Sequence, residues 1–402
     1  MLGLLRFLLA YLVVVSHLVG GDYFAHFGFY AVRGFFVISG FLMTSVLNEV
    51  YEFDGIRFWT NRALRLLPPY FIVCGITLAV IALLPSEAGQ YLKFWRGGVN
   101  LRDVLLNFSI LPLQLPDPSF RLVPPYWSVA IEIEMYLLLY VIVARRMAWA
   151  VVALIASLTY HLACTSVGVS WAAYYFTAPS AVLPFAVGAV LYFVLKGQFW
   201  TITPRLAALA FIAWFTNMLV GGWIFSSSYI FGFGYYLDTI LFTVVVAGLA
   251  GRRFYPFIRR VDKVLGEWAY FVFLVQWLAG FAVVLAFHSV QSRGWAIFIA
   301  ATPVAILASV ALAFLNRKFV EPFRDRVRDL PSAPHAHTEF RGDAKTAVIL
   351  DPLPTIAELC TPVQPKLQAG RIRHPDQPLL APIIAPAVRQ PRLRCLRARA
   401  PA

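Results

Sequence analysis

Apolar runs of similar length recur through most of the chain, and short polar or basic segments separate them. A helix needs about 20 mostly apolar residues to cross the hydrocarbon core of a bilayer. Ten runs meet this requirement: residues 2–20, 30–49, 68–85, 126–144, 148–165, 174–195, 205–223, 230–250, 267–288 and 295–315. The pattern therefore predicts an all-α fold, a polytopic membrane bundle of about ten transmembrane helices.

Two segments depart from this pattern. Residues 86–125 contain the proline-rich stretch LPLQLPDPSFRLVPPYW, which is too polar and too broken to span a membrane. Such a segment is either a functional loop or a passive cap on the bundle. After Arg328 the composition changes to Pro, Arg, His and Ala with little apolar periodicity. We predict a membrane domain over residues 1–328 and a disordered cytoplasmic tail over residues 329–402.

Composition excludes a soluble globular protein. The 402 residues are 60% hydrophobic and only 13% charged, and the mean hydropathy is +0.72. Soluble domains average about 45–50% apolar and about 25% charged residues. The net charge of +14 is typical of basic cytoplasmic loops in a membrane protein, so we expect no nucleic-acid partner. The four cysteines are scattered without metal-ligand spacing, so we expect neither a disulfide scaffold nor a bound metal.

The positive charges predict the orientation of the bundle. If the N-terminus is cytoplasmic, the inner segments hold twelve Lys and Arg residues and the outer side holds six. Four of those six lie in the long outer segment, and the other two are Arg33 and Arg293. The short outer loops 166–173 and 224–229 carry no Lys or Arg. Because the positive-inside rule weights short loops most, both termini are predicted to be cytoplasmic.

The first apolar run contains two polar residues that share one helix face. Arg6 and His17 are eleven residues apart, which amounts to about 20° past three full turns and about 16 Å along the axis. Gly3, Ala10 and Gly20 lie on the same face. This pattern predicts a smooth groove that guides an anionic, thread-like substrate to a general base. The alternative is that Arg6 reaches the inner headgroups and His17 lies in the outer interface.

A basic pair precedes the third apolar run. Arg62 and Arg65 are three residues apart on a helical segment, so both side chains can bind one anion. Pro68 and Pro69 are predicted to end that segment and to begin the next helix. The alternative is an ordinary cluster of cytoplasmic positive charges.

The fourth run carries carboxylates close to its start. Glu132 and Tyr136 are four residues apart and share a face, whereas Glu134 points away from Glu132. One carboxylate can favour the positive end of the helix. The other is expected to face a polar cavity, where it orients a histidine or binds a hydroxyl. In the ninth run, Gln276 is expected to make an interhelical contact in mid-membrane.

Together these segments resemble the acyltransferase-3 family, the integral-membrane acyltransferases that modify bacterial surface carbohydrates. The resemblance covers residues 1–328. It rests on four motifs in the family's order: Arg6 to His17 in LRFLLAYLVVVSH, FFVISGFL from Phe35 to Leu42, Arg62 and Arg65 before PPY, and Trp127, Ser128, Glu132 and Tyr136 in the fourth run. The segment FVEPFRDR also resembles the family's closing segment.

The chain departs from the family pattern at two places. Members commonly have Glu-Glu in the fourth-run motif, where this chain has Ile133 after Glu132 and a glutamate only at Glu134. Members also commonly have a histidine late in the ninth run, about where Gln276 stands. Any chemistry that belongs to that histidine is therefore in question, because glutamine cannot act as a general base.

The resemblance implies an enzyme of the bacterial inner membrane that moves an acyl group, most often acetyl, from cytoplasmic acyl-CoA to a carbohydrate hydroxyl. Acyl-CoA is then a co-substrate, and no other cofactor is expected. The expected site residues are His17 and Glu132 for catalysis, Arg6, Arg62 and Arg65 for the donor, and Tyr70, Trp127, Ser128 and Tyr136 for the substrate. Direct transfer and a covalent acyl-histidine both stay open. The alternative function is a transporter or flippase for an anionic or lipid-linked substrate.

Overall fold

The fold is known from a computed structural model, which describes residues 1–96, 99–114, 120–199, 202–224, 227–252, 254–288 and 291–328. The predicted tail, residues 329–402, lies outside the described residues. The described residues form helices and contain no strand. The helices are α1 (Leu2–Leu18), α2 (Asp22–Glu49), α3 (Gly55–Leu83), α4 (Pro85–Tyr91), α5 (Leu101–Ser109), α6 (Trp127–Leu138), α7 (Met147–Ser166), α8 (Trp171–Tyr175), α9 (Ala178–Lys196), α10 (Pro204–Ile224), α11 (Ser227–Phe231), α12 (Phe233–Leu249), α13 (Pro256–Ala286), α14 (Trp295–Phe319) and α15 (Glu321–Arg328).

The helical membrane bundle predicted from the hydrophobic pattern is confirmed. Within the described parts of the chain, 8 helices are long and apolar enough to cross a membrane. They are α2, α3, α6 together with its continuation to Val143, α7, α9, α10, α13 and α14. The shorter apolar helices α1 and α12 correspond to the first and eighth predicted spans. The count of ten and the cytoplasmic position of the termini stay predictions.

Helix α2 begins eight residues earlier than the apolar pattern indicates, because its polar first turns have partners on α10. The ring nitrogen Nε2 of His26 lies 2.8 Å from the carbonyl oxygen of Met218. The hydroxyl of Tyr23 donates to the carbonyl oxygen of Leu219 at 2.6 Å. With these polar groups satisfied inside the protein, the helix continues through residues that would otherwise end it.

Arg33, which the charge count assigns to the outer side, lies within α2 and its side chain is only 1% exposed. Its Nε donates to the hydroxyl of Thr239, and its guanidinium carbon lies 3.7 Å from the ring centroid of Tyr235. Its charge also interacts with that of Asp238, a fully buried residue of α12. A buried cation needs such compensation, and the partners come from a helix some 200 residues further along the chain.

The expectation that Pro68 and Pro69 divide two helices is wrong. Helix α3 runs from Gly55 to Leu83 with both prolines inside it. The two prolines lack a backbone N–H, so the carbonyl oxygens of Leu64 and Arg65, four residues earlier, lose their usual helical donors. The hydroxyl of Tyr270 on α13 donates to the carbonyl oxygen of the next residue, Leu66, at 2.6 Å, which ties this part of α3 to α13.

The smooth groove predicted along α1 is filled at its inner end. A Cβ at Gly3 would overlap the backbone oxygen of Asp262, and the Cα of Gly3 would lie 2.9 Å from a Cβ at Gly266. The carboxylate of Asp262 also accepts from the backbone N–H of Leu4 at 2.7 Å. The absence of side chains at these two glycines therefore lets α13 pack directly against α1 and does not leave an open channel.

Helices α2 and α9 make an equally close contact in the FFVISGFL segment. A Cβ at Gly40 would overlap the carbonyl oxygen of Phe185, and one at Gly188 would overlap that of Val37. The two backbones are therefore in van der Waals contact, which holds the SGF segment of α2 at a fixed depth against α9.

The outer segment between α3 and α6 is folded over the end of the bundle. The indole N–H of Trp95 donates to the carbonyl oxygen of Arg121 at 3.1 Å. The buried side chain of Asn107 accepts from the backbone N–H of Leu122 at 2.9 Å. The described parts of this segment thus form a packed cap.

Replacement of Gly40 by Ala tests the close contact between α2 and α9. The new methyl group meets backbone and not a flexible side chain, so the helices must separate, and we expect the free energy of unfolding to fall by about 1–3 kcal/mol. The measurement is thermal or denaturant unfolding of the purified protein in detergent.

The matched control is Gly75→Ala in α3, because a Cβ at Gly75 has no atom within 4 Å. Alanine favours a helix over glycine by up to about 1 kcal/mol, so this variant should be as stable as the wild type or more so. Equal stability of the two variants would contradict the contact.

Candidate functional site

The arginines predicted to bind a donor lie together near the first turns of α1, the end that is predicted to be cytoplasmic and is here called the inner end. Arg6 on α1 interacts electrostatically with Arg62 and Arg65 of α3 and with Glu132 of α6. Arg62 is 8% exposed, and the other two arginines are half-buried. Helices α1, α3 and α6 therefore bring three of the four sequence motifs to one place. The assignment of these arginines to donor binding remains a prediction.

The three guanidinium groups have no hydrogen-bonded or salt-bridged partner in the described structure, although the charge of Glu132 acts on Arg6 and Arg62. Among the described residues, Arg6, Arg62 and Arg65 form no hydrogen bond and no salt bridge within 4.0 Å. The Nε atoms of Arg6 and Arg62 are buried without a partner. Unpaired cations at such a position are costly, and in a membrane protein they mark a functional site by default. The cluster is thus suited to bind an anion.

A fourth arginine approaches the cluster from α15, beyond the last predicted span. Nε of Arg324 donates to the side-chain oxygen of Asn61 at 3.3 Å, and its guanidinium pairs with Glu321. Burial, and then the nearby charge of Arg65, lower the pKa of Arg324 to about 10. Sequence reasoning quoted this segment only for its resemblance and did not assign Arg324 to the site, because its contact with α3 joins residues 263 positions apart.

Glu132 lies at the inner cluster and is not paired with His17. It accepts hydrogen bonds from Ser39 at 2.6 Å and from the hydroxyl of Tyr136. The prediction that Glu132 and Tyr136 share a face is confirmed, and the FFVISGFL motif is joined to the fourth-run motif through Ser39. The expectation that Glu132 orients His17 is corrected, because both hydrogen bonds of this carboxylate are made at the Arg6 end of α1.

The partner of His17 is Gln276 on α13. Nδ1 of His17 lies 3.0 Å from the side-chain oxygen of Gln276, and the amide nitrogen of Gln276 donates to the carbonyl oxygen of Phe273 at 2.9 Å. This second bond fixes the orientation of the amide, so its oxygen can only accept and Nδ1 must carry the hydrogen. In a neutral imidazole Nε2 then keeps its lone pair. Gln276 cannot act as a base, but it selects the tautomer in which His17 can.

Three predicted substrate-binding residues have contacts that account for their positions. The hydroxyl of the fully buried Tyr70 donates to the carbonyl oxygen of Asn107 at 2.8 Å. The hydroxyl of Ser128 donates to the carbonyl oxygen of Pro125 at 3.1 Å. The half-buried ring of Trp127 packs edge-on against Phe176, with 4.7 Å between the ring centroids. These residues stabilise the outer part of the bundle, and their contact with a substrate remains a prediction.

Fold and site together define a class: a polytopic helical membrane protein with an inner arginine cluster and a tautomer-selected histidine at the two ends of its first helix. The model of the acyltransferase-3 family, described as an acyltransferase domain, matches residues 2–314. The chain therefore belongs to this family of membrane acyltransferases. Comparison with curated proteins and with solved structures finds no match.

A double-mutant cycle on Ser39→Ala and Glu132→Gln tests the link between the two motifs. The bond lies inside the bundle and has a charged acceptor, for which a contribution of about 1.5–3 kcal/mol is typical. We expect a coupling free energy of that size in unfolding measurements in detergent.

The control cycle uses Ser45→Ala and Glu49→Gln, a pair on the same helix whose hydrogen bond of 3.1 Å is exposed. Its coupling should be much smaller because solvent competes for both groups. Equal coupling in the two cycles would contradict the buried link.

Proposed function

We propose that the protein is an O-acyltransferase of the bacterial inner membrane. It moves a short acyl group, most often acetyl in this family, from cytoplasmic acyl-CoA to a hydroxyl of a cell-surface or exported carbohydrate. The observation that carries the proposal is the pair of sites on α1. Three arginines without protein partners surround its inner end, and a histidine with a defined tautomer stands near its outer end.

The inner cluster matches the charge of the donor. Coenzyme A carries several phosphate oxygens, and guanidinium groups bind phosphate through paired, charge-assisted hydrogen bonds. Arg6, Arg62 and Arg65 have donors to spare, since no described carboxylate neutralises them through a salt bridge. The pantetheine arm is long and thin, of the same order as the ~16 Å that separates Arg6 from His17 along the helix. A donor bound at the arginines can thus present its thioester near His17.

The chemistry at His17 follows from its tautomer. Nε2 accepts the proton of the acceptor hydroxyl as the hydroxyl oxygen attacks the thioester carbonyl carbon. A new C–O bond forms, the C–S bond breaks, and the coenzyme A thiolate takes the proton back from Nε2. Throughout, Gln276 holds the Nδ1 hydrogen. In the covalent variant, Nε2 attacks the thioester carbonyl carbon and the C–S bond breaks, which releases the coenzyme A thiolate. The acceptor hydroxyl oxygen then attacks the acyl carbon, the C–N bond to His17 breaks, and the hydroxyl proton passes to the thiolate.

Replacement of His17 tests this function. His17→Ala and His17→Gln both remove the accepting nitrogen, and general-base catalysis typically contributes about 10²–10⁴-fold. Transfer of radiolabelled acetyl from acetyl-CoA by the purified protein should fall by that factor, while the amount of folded protein stays the same.

The matched control is His288→Asn. His288 is exposed at the end of α13 and has a positive φ of 47°, which asparagine tolerates. This variant should keep wild-type transfer. A His17→Ala protein that transfers at half the wild-type rate would refute the mechanism and favour the transporter alternative, which uses the same charges without acyl chemistry.

Replacement of Arg62 and Arg65 tests the donor site separately. Each charge-assisted contact contributes about 1.5–3 kcal/mol, so the double alanine variant should raise the KM for acyl-CoA by tens-fold or more. Lysine at both positions should recover little, because it lacks the planar fork of donors.

The control is Arg146→Ala with Arg205→Ala, two exposed arginines that the charge pattern also predicts to be cytoplasmic. Like the cluster variant, this control removes two positive charges, but at positions away from the cluster. It should leave the KM for acyl-CoA unchanged. A KM that is the same in the cluster variant and the wild type would exclude these arginines from the donor site.

A further inference from the structure

Arg293 is held over the outer end of α1, close to His17. It lies in the segment between α13 and α14, and the backbone N–H of the next residue, Gly294, donates to the carbonyl oxygen of Leu18 at 2.8 Å. Its aliphatic stem packs on Gly20, where a Cβ would lie 2.8 Å from Cδ of Arg293. Gly20 has a φ of +70° as well, so a side chain is doubly disfavoured there. These contacts fix the arginine directly above the turn that follows His17.

The head group of Arg293 and the ring of His17 both approach Trp277. The guanidinium carbon lies 5.3 Å from the centroid of the Trp277 ring, and the His17 and Trp277 ring centroids are 5.2 Å apart. The charge of Arg293 interacts with His17 and with Tyr91. Among the described residues, Arg293 has no hydrogen-bond or salt-bridge partner for its guanidinium. Its side chain is exposed, so its guanidinium donors are accessible to a ligand.

Two buried donors beside this arginine also have no partner. The hydroxyl of Tyr91 and the indole N–H of Trp277 are buried without a hydrogen bond, and the two side chains are 6% and 4% exposed. The ring of Tyr91 packs against that of Trp277, with 6.0 Å between centroids. Tyr91 lies on the outer cap, where burial raises the pKa of its phenol and the charge of Arg293 opposes that rise. The phenol is therefore protonated and available as a donor.

We propose that Arg293, Tyr91 and Trp277 form an acceptor subsite that binds an anionic group, carboxylate or phosphate, on the carbohydrate whose hydroxyl faces His17. The proposal rests on the proposed function and names its acceptor class. A guanidinium, a phenol and an indole N–H all donate, so their natural ligand is an anion. The acceptor is thus an acidic or phosphorylated carbohydrate, with its charge close to the acylated hydroxyl.

The subsite also has a consequence for the chemistry at His17. During transfer the imidazole becomes a cation beside Arg293, and two like charges at close range repel each other. An acceptor anion bound by Arg293 neutralises that repulsion at the moment when His17 takes the proton. A neutral acceptor leaves the repulsion in place, so it should react more slowly even when it binds.

The experiment compares methyl glucoside, methyl glucuronide and methyl glucoside 6-phosphate as acceptors of radiolabelled acetyl from acetyl-CoA, with the full-length protein in detergent. We expect kcat/KM for at least one anionic sugar to exceed that for the neutral sugar by about tenfold or more. The two anionic sugars distinguish carboxylate from phosphate. If a sugar binds without being acylated, its inhibition of acetyl-CoA hydrolysis is measured, and the inhibition by the anionic sugars is compared with that by the neutral sugar.

Two variants test the residues. Arg293→Gln should bring the ratio of anionic to neutral acceptor close to one, and Tyr91→Phe, which removes only a hydroxyl, should lower it in the same direction. The control is Arg102→Gln, an exposed arginine of α5 in the same outer cap, which should keep the wild-type ratio. An unchanged ratio in Arg293→Gln would overturn the subsite.

The failure of the subsite and that of the proposed function give different results. A wild-type protein that acetylates neutral and anionic sugars equally well would refute the subsite and leave the acyltransferase intact. A wild-type protein that neither transfers nor hydrolyses acetyl from acetyl-CoA would refute the proposed function itself.

Discussion

A charged side chain inside a bilayer cannot be solvated by bulk water, so it must find its partner in the protein or in a ligand. Two solutions occur in this bundle. Arg33 donates a hydrogen bond to Thr239, packs on the ring of Tyr235 and interacts with the charge of Asp238, although its two terminal nitrogens are buried without a hydrogen bond. These contacts join α2 to α12. Arg6 and Arg62 interact with the charge of Glu132 but form no hydrogen bond with a described residue, and their Nε atoms are buried without partners. The first arrangement is a structural contact, and the second leaves donors for a substrate.

The close packing of α13 against α1 and of α9 against α2 fixes the positions of these charged residues. Gly3 lets α13 approach α1 at the inner end, and Gly40 does the same for α9 against α2. Because the contacts are between backbones, neither helix can slide without a clash. His17 therefore stays opposite Gln276, and Ser39 stays within 2.6 Å of Glu132. Small residues determine the positions of the polar ones.

The hydrophobic pattern was enough to predict the helical bundle, because the thickness of the bilayer imposes the length of each apolar run. The spacing of Arg62 and Arg65 predicted that these two can bind one anion together, and the resemblance to the family added Arg6 to the expected donor residues. The hydrophobic pattern could not predict the environment of Arg33, whose partners belong to a helix far along the chain. Nor could it pair His17 with Gln276 in place of Glu132, because that choice depends on which helices pack together.

The glutamine at position 276 shows why a departure from a motif need not remove its chemistry. A neutral amide cannot take a proton, yet its oxygen accepts from Nδ1 of His17 while its nitrogen is committed to Phe273. A carboxylate in its place would stabilise the imidazolium as well as the tautomer. The amide contributes only orientation, so any further stabilisation of the imidazolium must come from elsewhere. An anionic acceptor bound beside Arg293 supplies that charge only when the substrate is present, which couples proton transfer to the arrival of the correct acceptor.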